Sequence, residues 1–201
     1  MDPNVVVDRL VRLMRLDATV FDEVRDDERE ILPAAIIVAV GALLAGFGAF
    51  LWWQTIPSST EGIDGLFLNT VVLGSIFLAL IYGVAILVVY LIMVQVFRVH
   101  IEIMPLARVL GYAAWPLGLS VLMFIPFVHP VFAILPLCLL FVMMIYAVQS
   151  ATGAESRDVV VASLGGLAVM VLVLSLIANT TELASAPMGA GLFGILFDLR
   201  Y

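Results

Sequence analysis

The chain has 201 residues, of which 64% are hydrophobic and 12% charged, and its mean hydropathy is +1.19. That balance excludes an ordinary soluble domain and points to an integral membrane protein. Lysine does not occur: all nine basic residues are arginine, and sixteen acidic residues bring the formal charge to −7 and the pI to about 4.6. A basic, nucleic-acid-binding character is thereby excluded. Acidic, lysine-free composition suits a high-salt or high-GC microbe, because carboxylates stay hydrated where salt screens their repulsion.

In chain order, residues 4–16 (NVVVDRLVRLMRL) place Val6, Val7, Leu10, Val11, Leu13 and Met14 at helical spacing, with Asp8, Arg9, Arg12 and Arg15 on the other side. This predicts an amphipathic helix. It either lies flat at the membrane surface with Arg9, Arg12 and Arg15 among lipid phosphates, or packs as an ordinary helix on a cytosolic face. Residues 17–30 (DATVFDEVRDDERE) are dense in acid, with an apolar period only around Val20, Phe21 and Val24. They read as a short solvated helix, with a docking site for a basic partner as the functional alternative. The first apolar run starts only near Ile31, so no secretory signal is expected.

The first span is predicted over residues 32–53, with Pro33 tolerated at a helix start and Trp52 and Trp53 marking the far interface. Gly41, Ala42, Ala45, Gly46 and Ala49 put small residues where another helix approaches closely. The loop over residues 54–65 carries Glu61 and Asp64, short of the six to eight oxygens calcium usually takes. Residues 66–97 carry no Asp, Glu, Lys or Arg, well beyond the roughly 20 residues that a membrane helix needs. A helix of that length extends roughly 48 Å, so it tilts or projects from a hydrocarbon slab of about 30 Å. Gly74, Ser75, Ala79 and Gly83 form its small-residue face toward the first span, and Tyr82, Tyr90 and Gln95 are among its polar residues. A polar hinge follows at residues 98–102, closed by Pro105, in which Arg98 and Glu102 are spaced for a helical pair.

A third span over 106–124 carries Gly111 and Gly118 for close packing and Pro116 as a kink that frees a backbone carbonyl. The turn at 125–130 is so short that a fourth span, 131–148, forms an antiparallel hairpin with the third. A polar loop at 149–158 leads to a fifth span, 159–178, with Gly165 and Gly166 as close-packing points. The apolar part of the tail, about 188–197, is too short to cross as a helix and is expected at the interface or folded back; as a sixth crossing it would move Arg200 inside. The fold class is therefore an all-α membrane protein. A cytosolic or interfacial region at 1–30 precedes a five-span bundle at 31–178 and an extracytoplasmic segment at 179–201.

With five spans, eight of the nine arginines fall on one side and only Arg200 on the other. The positive-inside rule makes the first side cytoplasmic, with the N-terminus inside and the C-terminus outside. Cys138 is the single cysteine, which excludes an internal disulfide. His100 and His129 fall on opposite sides of the predicted bundle, and no phosphate loop, dinucleotide fingerprint or nucleophile elbow occurs. No enzymatic activity, metal or cofactor is expected.

Three segments carry a family resemblance: LMRLDATVFDEVRDD near the N-terminus, ARVLGYAAWP with Gly111, Tyr112 and Pro116 in the third span, and YAVQSATGAESRDVVVASL at 146–164. The layout resembles the Yip family of five-span membrane proteins, prokaryotic branch, over about residues 8–178. The resemblance implies a non-enzymatic scaffold or adaptor that binds other membrane proteins, itself or lipids, or shapes the bilayer. The long polar N-terminal domain of the eukaryotic members has no counterpart here, so no Rab-binding role is carried over. Two other readings stay open: an accessory subunit whose glycine faces receive partner helices, and a small homo-oligomeric channel or carrier lined by Tyr82, Tyr90, Gln95 and the kink at Pro116.

Overall fold

The computed structural model describes residues 3–55, 67–125 and 127–180. The expectations for Glu61, Asp64 and the segment beyond residue 180 lie outside them. Among the described residues all regular structure is helical, and five helical segments are long and apolar enough to cross a membrane: Glu28–Trp52, Thr70–Val96, Ile103–Phe124, Ile134–Thr152 and Ser156–Leu174. In chain order the helices are α1 (Pro3–Met14), α2 (Thr19–Asp26), α3 (Ile31–Thr55), α4 (Gly74–Leu91), α5 (Ile103–Ala113), α6 (His129–Thr152) and α7 (Ser156–Thr180). A 3-10 turn at Glu28–Glu30 leads into α3, π-helical turns at Leu68–Leu73 and Ile92–Val96 flank α4, and a 3-10 helix at Trp115–Phe124 continues α5.

The five long helices close a ring in the order α3, α4, α7, α6, α5. The third span is the most enclosed, with 67% of its apolar window buried against 33–44% for the others. Large apolar side chains face outward instead, among them Ile36, Val40 and Leu44 of α3, Ile76, Leu80 and Leu87 of α4, and Leu172 and Leu176 of α7. An exterior this apolar marks a surface that meets something other than water, which is compatible with a multi-pass membrane protein.

Several boundaries shift from the sequence pattern. The expected loop at 149–158 shrinks to three residues, because α6 runs on to Thr152 and ends at Gly153, whose φ of 59° is the left-handed geometry glycine tolerates. Pro105 falls in the first turn of α5, where no N–H is needed, so it belongs to the helix rather than closing the hinge. Residues 98–102 are non-helical with Arg98 at φ 58°, and the helical Arg98–Glu102 pairing does not form. Instead α4 closes through Phe97 N–H to the Ile92 carbonyl at 3.1 Å and Val99 N–H to the Met93 carbonyl at 2.9 Å.

Pro116 does more than bend the third span. It has no N–H to give, and from Ala114 onward the chain tightens into ten residues of 3-10 helix, a long run for that geometry. The Ala114 N–H bonds to the Gly111 carbonyl at 3.3 Å, and the Leu110 carbonyl accepts the buried Tyr82 hydroxyl at 2.6 Å. The α4 side chain thus satisfies a carbonyl that the tightened ladder leaves behind, where each unpaired group costs several kcal/mol.

Close approach occurs where the chain has no Cβ. A Cβ at Gly46 would lie 2.5 Å from the Ser75 hydroxyl and 2.7 Å from the Thr70 carbonyl, and Ser75 itself donates to the Ala42 carbonyl at 2.9 Å. Gly48, a position the sequence pattern did not single out, meets the backbone of Ser120 and Val121. A Cβ at Gly111 would lie 2.6 Å from the Ala34 Cβ. A Cβ at Gly41 would meet Ala114 and Leu117 at an ordinary 3.4 Å, while Ala45 is buried in the core and Ala79 packs at its edge. Gly165 and Gly166 receive Ile92 and Val89 of the α4 side. Gly83 differs from these: a Cβ there meets nothing within 4 Å.

Two substitutions therefore separate packing from helix propensity. Gly111→Val is expected to lower stability by about 1–3 kcal/mol through overpacking against Ala34. Gly83→Ala is expected to be neutral or to stabilise by about 0.5–1 kcal/mol. Thermal unfolding of the detergent-solubilised chain checks both.

Candidate functional site

The described charge concentrates at one end of the bundle, where α3, α5 and α7 begin and α4 and α6 end. Helices α1 and α2 fold over it. Val20, Phe21 and Val24 come to one side of α2 at helical spacing and are fully buried, as is Leu13 of α1. Each such burial is worth about 1.5–3 kcal/mol relative to exposure in water. Helix α2 packs on α5 and α6, which places its charged positions above the ends of the long helices.

The centre of this cap is Glu30, only 8% exposed at the entry to α3. One carboxylate oxygen lies 2.6 Å from Arg9 Nη1, and the other accepts the Tyr112 hydroxyl at 2.5 Å. Arg9 Nη1 and Nε are shielded from solvent, with Nε 3.5 Å from Glu23, and the close ion pair to Glu30 ties α1 to the entry of α3. Desolvation works against the Arg9 charge, and Glu30 outweighs it and raises the pKa above its ordinary value. Arg12 reaches Asp17 at 2.9 Å and Glu23 at 2.8 Å, linking α1 to the turn and to α2. The Thr19 hydroxyl, and after it the Arg12 guanidinium, hold the Asp17 carboxyl below its usual range. Arg15 is exposed. Of the three arginines placed among lipid phosphates by the helical pattern, two thus meet carboxylates of their own chain.

A second set of bonds ties α2 to α6. Arg25 Nη1 donates to the Ser150 carbonyl at 2.7 Å, and the Ser150 hydroxyl donates to Asp22 at 2.6 Å. Arg25 also bonds both oxygens of Asp26, and that contact above all lowers the Asp26 pKa. Arg108 on α5 is 6% exposed; its Nε makes a long 3.4 Å bond to the Met104 carbonyl, its Nη1 has no acceptor, and its charge acts on Asp26.

Other positions singled out in the sequence separate. Arg98, His100 and Glu102 line an open recess of about 560 Å³ with Tyr90 and Val94, remote in sequence from the Glu30 cluster. The Tyr82 hydroxyl is spent on Leu110, Tyr90 is half-buried and Gln95 is exposed. Of the resembling trio, Gly111 admits Ala34, Tyr112 holds Glu30 and Pro116 starts the 3-10 run. No group of three His, Cys, Asp or Glu placed to hold a metal ion occurs among the described residues. Sequence reasoning missed Glu30 as the hub. The available signal was a carboxylate directly before a charge-free span, at a depth where it needs a partner.

No family model matches the chain, and neither the curated proteins nor the solved structures contain a match.

Replacing Glu30 by glutamine removes the charge opposite Arg9 and leaves one acceptor oxygen where Arg9 and Tyr112 each use their own. Glu30→Gln is expected to destabilise the cap by about 1–3 kcal/mol, and Tyr112→Phe by about 1 kcal/mol. Hydrogen exchange across residues 3–26 reads both, with the five long helices unaffected. Because the folded-state pKa values of Asp17 and Asp26 are depressed, their contribution is present above the ordinary aspartate range near ~4 and is lost as pH falls through the lower folded values. The same exchange measurement is expected to show a cap unchanged from pH 7 to 5 and loosened below about pH 4.

Proposed function

We propose that this chain is a non-enzymatic membrane scaffold or adaptor of the Yip type, which binds other membrane proteins or shapes the bilayer, with its N-terminus in the cytosol. One observation carries the reading. A helical cap, held by Arg9–Glu30 and Arg25–Ser150, sits on one end of a bundle with an apolar exterior. The outer side of α1 offers Val7, Val11 and Met14 as an exposed apolar strip beside exposed Asn4, Asp8 and Arg15, a pattern suited to a helix lying in the membrane interface. The arginines of α1, α2, the 98–102 linker, α5 and the α7 start share that end, which the positive-inside rule assigns to the cytosol.

A second reading, an accessory subunit of a larger complex, draws on a groove of about 230 Å³ between α3, α4 and α5. Ala35 and Val38 face Ala79 and Gly83 across it. A slot walled by small residues with free space over Gly83 suits close approach of a partner helix.

A mild-detergent pull-down from native membranes separates the two. Companions captured only after cross-linking support the adaptor, whereas one companion at fixed stoichiometry supports the subunit. Solute flux through proteoliposomes of the pure protein would overturn both. The orientation is checked with His100→Cys and Phe127→Cys on a Cys138→Ser background. The first is expected to react with an impermeant maleimide only from the cytosolic side and the second only from outside.

A further inference from the structure

A second groove, of about 350 Å³, runs along the outside of the bundle where α1 crosses α3 and the 3-10 helix. Its walls are Leu10 and Met14 of α1, Ile36, Val40 and Leu44 of α3, and Trp115. Nothing in that set is charged. The groove opens beside side chains that face outward from α3: Ile36 is 41% exposed, Val40 48% and Leu44 38%. Its mouth is thus continuous with the apolar exterior of a helix long enough to cross a membrane, where the surrounding medium is hydrocarbon.

The polar end has its own signature. Arg9 and Arg12 are neutralised within the cap, but Arg15, the residue next to groove-lining Met14, is exposed and makes no ion pair among the described residues. An exposed guanidinium one residue past groove-lining Met14 suits a molecule with a hydrocarbon tail and an anionic head, and guanidinium pairs well with phosphate oxygens. We propose that this groove seats one acyl chain of an anionic phospholipid, with the headgroup phosphate held at Arg15. The lipid forms the fourth side of the α1 docking site and couples the cap to membrane composition. This inference rests on the membrane-embedded reading above.

The chain contains three tryptophans, and among the described residues Trp115 is the one that lines the groove. Trp52→Phe with Trp53→Phe in the full chain leaves it as the sole reporter. In nonionic detergent the protein is titrated with phosphatidylglycerol brominated midway along its acyl chains, which quenches nearby indole fluorescence. The expected result is saturation near one lipid per chain. The phosphatidylcholine analogue needs about threefold more lipid, the size of one exposed charge pair. Arg15→Gln is expected to remove that difference. Leu10→Phe, or Val40→Phe from the opposite wall, fills the groove and is expected to abolish saturation in a chain whose helical circular dichroism is unchanged. Quenching that rises linearly with lipid mole fraction in the parent chain, or saturation that survives both filling variants, overturns the proposal. Extraction keeps the two readings apart: release of the chain from membranes by alkaline carbonate sinks the membrane-embedded reading itself, whereas a carbonate-resistant chain with linear quenching sinks only the lipid site.

Discussion

A backbone amide or carbonyl in an apolar slab has no water to bond, and that constraint organises the chain. It turns each long apolar run into a helix and leaves irregular backbone to the ends. The informative place is the exception inside the third span. Pro116 cannot continue the α-helical ladder, the chain tightens into 3-10 geometry, and the Leu110 carbonyl is taken by Tyr82 from the neighbouring helix. A polar side chain that reads in sequence as a candidate pore lining is thus a repair for its neighbour's backbone.

The cap follows a related logic for charge. Taking Arg9 and Glu30 out of water costs several kcal/mol per ion, and their attraction offsets this only when both are close and further polar groups complete the shell. Tyr112 supplies the additional donor to Glu30. The arrangement joins α1, the start of α3 and the C-terminal end of α5 at one carboxylate, and so sets where the N-terminal helices sit. Packing gives the cap its bulk through Val20, Phe21 and Val24, while the ion pairs give it register.

Much of the architecture was legible from residue types alone, because hydrocarbon thickness and helical rise translate directly into run length. The same directness fails at contacts. The stripe of small residues on α4 mixes Ser75, which bonds to α3, with Gly83, which faces open space, and nothing in their spacing separates them. Gly48 meets a backbone without belonging to the most regular stripe, since close approach depends on where two helix axes cross. For the arginines of α1, helical periodicity shows which side they share. It is silent on whether lipid phosphates or the chain's own acids face that side.

The sequence by itself determined the number of long helices, their order and the end of the bundle that carries most of the charge. These follow from local run length and from the strong preference of charge for water. Only the tertiary structure decided that Glu30 is the hub of the cap, that Tyr82 and Tyr112 serve other helices, and that an apolar groove opens where α1 crosses α3. Each of these joins residues far apart in the chain, and no periodicity within one helix reports which face of another it will meet.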